Sequence, residues 1–182
     1  LPAGRNTMVG LARAPYVLML DADNELLPPA ARRLAAALDA DPDALFAYPI
    51  LAAHRDGAPD GLLSTLPWDP ALLKAYNPID ALALLRRDAL AELGGYTTDI
   101  RLHGWEDYDL WCRIAERGGR GVHVAQLLAR YRRSAGGSML SLTDLDTAEM
   151  RAILRERYPR TMGPPAPGGV PAAAEGPAAP GG

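Results

Sequence analysis

The chain has 182 residues, room for one domain with a real core and too little for two of ordinary size. Its 19 basic and 22 acidic side chains leave a net charge of −3, so nothing marks the broad polyanion-binding surface that nucleic acid requires, and no apolar run is long enough to span a bilayer. A single cysteine, Cys112, excludes an internal disulfide and a cysteine metal cage, which fits a reducing compartment: cytoplasmic, or peripheral to a membrane.

The chain opens on Leu1 and its pattern is already mid-stream at Arg5, so it reads as a piece of a longer protein. Tyr16 to Leu20 is a short continuous apolar run behind Pro15, as expected for a strand buried on both faces. Pro28-Pro29 opens a helix with Leu34, Ala35 and Leu38 on its apolar face, and Ala44 to Leu51 reads as the next strand. Strand, helix, strand is the grammar of an α/β sheet. Asp56-Gly57 and Pro59-Asp60-Gly61 predict a turn, or a hairpin if Leu62-Leu63 pairs back. Ile79 to Leu85 is a further strand candidate, and Arg87 to Leu93 a short helix stopped by Gly94-Gly95. A helix follows over Glu106 to Arg117, then one or two strands over Val122 to Arg132 and a last helix over Thr143 to Tyr158. Residues 1–158 therefore form the domain. The Pro, Gly and Ala of residues 159–182 cannot bury enough apolar surface to offset their ordering entropy, and predict a disordered tail.

Two acidic clusters carry the chemistry. Asp21 and Asp23 follow the first strand, and in an open α/β sheet ligands bind beyond the carboxyl ends of strands. In extended chain residues i and i+2 share a side, so both carboxylates could meet one Mg²⁺ or Mn²⁺, a hard cation that substrate phosphates also hold. The plain alternative is a turn, since Asp and Asn bond their own backbone at strand ends. The second cluster, Glu106, Asp107 and Asp109, opens a helix, where acids complement the dipole and Asp109 can pair with Arg113 at i, i+4. Helical spacing puts Asp107 on the inward side with Leu110 and Trp111, and Glu106 and Asp109 on the other. An inward Asp107 either bonds buried backbone or faces a cleft as a base. Trp105 offers either core packing or a flat apolar surface for a sugar ring.

These motifs, in order, resemble the family 2 glycosyltransferases of the inverting GT-A fold: Arg5-Asn6, Asp21-Ala22-Asp23, Asn77-Pro78-Ile79, Arg86-Arg87, Gly94-Gly95-Tyr96, and Glu106 to Leu110 with Arg113 and Gly118. The resemblance spans about residues 5 to 133. It implies an α/β fold with a mostly parallel sheet flanked by helices, truncated at its N-terminus, because relatives carry a nucleotide-binding strand-helix-strand unit before the Asp-x-Asp.

The resemblance further implies that Asp23 and Asp21 hold Mn²⁺ or Mg²⁺, that Asp21, Arg5 and Asn6 bind the donor, that Asp107 is the base, and that Glu106 and Trp105 bind the acceptor. The implied partners are a nucleotide-diphospho-sugar donor and a saccharide, lipid-linked or protein acceptor. Many relatives place a metal-binding histidine after the last strands; Tyr131 to Met139 holds none. Two other readings compete: a non-catalytic remnant of such a domain, and a haloacid-dehalogenase-type phosphotransferase. The latter expects Thr or Val where Glu25 stands and gives the Glu106-Asp107 helix no role.

Overall fold

The computed structural model describes residues 1–133 and 147–164. In chain order the elements are α1 (Pro2–Leu11), β1 (Tyr16–Leu18), β2 (Glu25–Leu26), α2 (Ala30–Ala40), β3 (Ala44–Arg55), β4 (Ala58–Leu63), β5 (Leu84–Arg86), α3 (Arg87–Glu92), α4 (Glu106–Glu116), β6 (Arg120–Arg133), α5 (Thr147–Arg157) and α6 (Pro159–Met162). Short 3-10 turns lie at Pro70–Lys74 and Ile100–Leu102.

The sheet runs β1-β5-β3-β6-β2, with β4 paired to the far part of β3. Among the described residues only β3 and β6 are parallel; β1–β5, β5–β3, β3–β4 and β2–β6 are antiparallel. The expectation of a mostly parallel sheet is therefore wrong, and the sheet is mixed. β4 returns along β3 through a hairpin, while β1, β2 and β5, strands of two or three residues, enter the sheet antiparallel to partners far along the chain.

The core lies on both faces of the β3–β6 pair. On one side Phe46 and Tyr48 of β3 meet Trp111 and Ile114 of α4, with Phe46 stacked on Trp111 at 4.5 Å between centroids. On the other, Leu34 and Leu38 of α2 cover Ala44, Ala47 and Leu84. Register shifts at Pro49/Ile50, where proline supplies no N–H to the ladder. The hairpin over residues 54 to 61 is present, pairing Leu51 with Leu63 and Arg55 with Ala58 through Asp56-Gly57, both at positive φ.

Three further expectations change. β1 lies at the sheet edge with Tyr16, Val17 and Leu18 only half-buried, so it is not covered on both faces. The Ile79 to Leu85 run forms strand only from Leu84. Ahead of it, Asn77 Oδ1 accepts the Ile79 N–H (3.4 Å) and Asp80 Oδ1 the Leu82 N–H (2.9 Å), and these local bonds replace a ladder. Past Tyr158 the chain stays ordered as α6, with Thr161 and Met162 buried and their end of the chain held by Glu116. The rest of the proposed tail, residues 165–182, lies outside the described residues, as do residues 143–146 of the last helix. α1, which the sequence reading leaves without an element, is a full helix with Pro2 in its first turn.

Candidate active site

The end of β1 leads into Asp21-Ala22-Asp23-Asn24, which closes as a turn with the Asn24 N–H on the Asp21 carbonyl at 3.0 Å. The plain turn reading is thus correct for the backbone, and the two carboxylates do not sit on extended chain. Both nevertheless line a cleft of about 600 Å³, together with Glu106 and Asp107 from the start of α4 and Asp80 from the loop before β5. A larger groove, about 730 Å³, lies beyond Asp23 among residues of β6 and the β3–β4 turn, but two of its arginines are already paired, Arg130 with Glu25 and Arg133 with Asp60. The cleft with the convergent carboxylates is the candidate chemical centre.

Arg5 joins the two acidic clusters. From α1 its guanidinium donates to Asp21 Oδ1 at 2.7 Å and to Glu106 Oε1 at 3.1 Å, and it stacks over the Tyr96 ring. Asn6 does something else. Its amide donates to the Tyr96 carbonyl and accepts the Tyr96 N–H, both at 2.8 Å, and it is absent from the cleft wall. The residue expected to bind donor is a brace between α1 and the turn after α3. Gly95, at φ 73°, makes that brace possible, since a Cβ there would stand 2.5 Å from Asn6 Oδ1.

Asp107 faces the cleft as its helical position predicts. Its Oδ1 accepts the Tyr108 N–H at 2.8 Å and its Oδ2 accepts from the Asn77 amide at 2.9 Å. Burial, and then the charge of Asp80, push its pKa up to about 7 despite these donors. Asp80 itself is raised to about 6, by burial first and then by the Asp21 and Asp23 charges. Asp80 was not among the expected site residues; a carboxylate beside Asn77-Pro78-Ile79 in an otherwise apolar stretch was the available signal.

The outer face assigned to Glu106 and Asp109 is not an outer face. Glu106 is 3% exposed and its Oε2 is buried with no hydrogen-bond partner among the described residues; Asp109 is fully buried. Asp109 pairs with Arg113 as expected, but also takes Arg157 Nη1 at 2.9 Å and the Tyr158 hydroxyl at 2.8 Å, because α5 docks over that side of α4. Trp105 is half-buried, lines the cleft and lies 5.3 Å from the Tyr108 ring. His123 stacks on Tyr48 at 5.0 Å within the sheet and is not a cleft residue. Among the described residues no three His, Cys, Asp or Glu side chains are grouped to hold a metal alone.

The family model described as glycosyl transferase family 2 matches residues 1–94, more than half the chain. The chain belongs to glycosyl transferase family 2. The match takes in α1, Asp21, Asp23 and Asp80, and stops before α4. Two curated proteins are similar along most of the chain: the uncharacterized protein y4gI of Sinorhizobium fredii, 29% identical over 87% of this chain, and the O-antigen biosynthesis protein RfbC of Myxococcus xanthus, 28% identical over 82%. The chain spans 18% and 12% of those two proteins, respectively. Among solved structures, S. aureus TarS 1-349 in complex with UDP superposes with a TM-score of 0.58 at 14% identity, over 85% of this chain and 49% of that one. That likeness concerns the fold, an α/β unit with a mixed sheet that resembles a nucleotide-sugar transferase. Among the described residues no helix is long and apolar enough to cross a membrane.

Proposed function

We propose that this chain is the catalytic part of an inverting transferase that moves a sugar from a nucleotide-diphospho-sugar to an acceptor hydroxyl. The observation that carries the reading is Asp107: a carboxylate of raised proton affinity at the start of α4, facing the same cleft as Asp21 and Asp23. Family membership supplies the reaction class. The UDP bound to TarS supports a uridine nucleotide as the first donor to try.

In this reading Asp107 takes the proton of the acceptor hydroxyl. The freed oxygen forms a bond to the anomeric carbon while the bond from that carbon to the diphosphate oxygen breaks, and the nucleoside diphosphate leaves with the electron pair. Attack opposite the leaving group inverts configuration. Asn77 orients the base by holding Oδ2, leaving Oδ1 to the Tyr108 N–H and the incoming proton. The unpartnered Glu106 Oε2 suits a sugar hydroxyl as its donor.

Asp21 and Asp23 fit a divalent cation, Mn²⁺ or Mg²⁺, of the kind held by two hard oxygens and by substrate phosphates. Such a cation supplies charge stabilisation for the departing diphosphate. Arg5, by occupying one Asp21 oxygen, fixes the direction of the other.

The test uses the full-length protein and a panel of labelled UDP-sugars. Asp107→Asn is expected to lower transfer by roughly 10²- to 10⁴-fold, the usual worth of a general base, while leaving UDP binding in Mn²⁺ intact. An Asp107→Asn protein that transfers normally sinks the assignment.

A further inference from the structure

We infer that the mouth of the cleft is an acceptor subsite for an acidic sugar, with Arg151 gripping the anionic group and Trp105 and Tyr76 receiving the ring. The ligand's identity as acceptor rests on the transfer reading above; its binding does not.

Among the described residues three arginines line the cleft, and their partners differ. Arg5 is balanced by Asp21 and Glu106, and Arg133 pairs at 3.0 Å with Asp60, a carboxylate it shares with Arg55. Arg151, reaching in from α5, donates instead to two neutral groups, the carbonyls of Lys74 (3.3 Å) and Ala75 (2.6 Å), and meets no carboxylate among the described residues. Among the described residues its charge is therefore uncompensated. A guanidinium has five N–H donors in a planar fork, so two bonds to carbonyls leave donors for a carboxylate or phosphate.

The rest of the cleft repels such a group, since Asp21, Asp23, Asp80 and Asp107 concentrate negative charge there. An acidic acceptor is thereby oriented: its anion goes to Arg151, its neutral hydroxyls to Asp107. The chain between makes the connection short. Arg151 holds Ala75, Tyr76 follows, and Asn77 bonds Asp107. Tyr76 is 44% exposed, and with the half-buried Trp105 it offers aromatic surface on the same cleft wall. α5 is anchored for this task by Ile153 and Leu154 in the core and by Arg157 on Asp99 and Asp109.

The experiment titrates the full-length protein with two matched pairs, methyl glucuronide against methyl glucoside and glucose 6-phosphate against glucose. The acidic member of at least one pair is expected to bind roughly five- to tenfold tighter, as for a hydrogen-bonded charge at a part-exposed site. Which pair shows the gap identifies carboxylate or phosphate as the group. Arg151→Gln should close the gap and Arg151→Lys should keep much of it, whereas a role limited to bracing Lys74 and Ala75 would leave the gap in both. No preference in either pair, or a gap that survives Arg151→Gln, overturns the inference. UDP with Mn²⁺ is titrated in parallel: if UDP fails to bind while the acidic preference holds, the transfer reading falls and the subsite stands, and the reverse result removes the subsite alone.

Discussion

Replacing Asp80 by asparagine should move the pH dependence of transfer without touching the base itself. Asp80→Asn is nearly isosteric and keeps an Oδ1 for the Leu82 N–H, so the loop before β5 retains its local bond. What goes is the charge that, after burial, most raises Asp107. With Asp80 raised to about 6 and Asp107 to about 7, Asp80 is largely ionised where Asp107 gives up its proton, so the repulsion acts at the midpoint and fades toward pH 6. Because a base works deprotonated, kcat/KM of the native protein should rise with pH through a midpoint near 7. The ionised fraction runs from about one-tenth at pH 6 to about nine-tenths at pH 8, a rise of roughly tenfold. In Asp80→Asn the midpoint should fall from about 7 toward the ordinary 3.8, though not reach it, since burial remains. The same pH interval should then give a smaller rise than in the native protein, under about twofold once the midpoint lies below about 6. The assay is kcat/KM of the full-length protein from pH 5 to 9 at fixed Mn²⁺. An unshifted midpoint in Asp80→Asn, or a flat native profile, refutes the coupling.

Other outcomes follow from the same contacts. Asp23→Ala should weaken Mn²⁺-dependent UDP binding by about tenfold or more, read by calorimetry with and without the metal, because it removes one of two hard ligands; equal UDP binding in both conditions would show that no cation is held there. Asp109→Ala leaves Arg113 and Arg157 without their shared buried carboxylate and should cost about 3–5 kcal/mol of stability in urea unfolding. Asn6→Ala loses both bonds to Tyr96 and should cost about 1–3 kcal/mol, with UDP affinity falling only as far as the fold loosens; a selective loss of donor binding in a fully stable Asn6→Ala protein would return Asn6 to the donor site.

The legible parts of the molecule were those whose cause is local. Asp21 and Asp23 follow an apolar run, and α4 shows its stripe of Leu110, Trp111 and Ile114, so both acidic clusters could be placed on their elements from spacing alone. Asp107 inward was right because one helix face decides it. Asp109 was misplaced because α5, arriving some forty residues later, covers the face that helical periodicity assigns to solvent, and Glu106 because Arg5 of α1, about a hundred residues earlier, draws it into the cleft wall. Asp80 escaped notice for a related reason: its influence comes from Asp107 and Asp21, which only the tertiary fold brings near. The apolar Ile79 to Ala83 run imitates a strand, but Asn77 and Asp80 turn it with their own side chains. α1 has no readable stripe, with Met8 and Leu11 exposed and only Val9 buried.

The double grip of Arg5 has a consequence for how the protein comes into being. On the ribosome Arg5 meets Asp21 early, across a short loop, but Glu106 only after the chain has run on through the whole β3–β4 hairpin and α3. Glu106 brings a second negative charge beside Asp21, so the shared guanidinium of Arg5 is what lets the two carboxylates stand close, and closing the longer loop is the entropically costly step. A nascent chain halted before α4 therefore carries the Asp21 turn and its arginine but lacks Glu106 and Asp107, so the cleft stays incomplete until α4 is made.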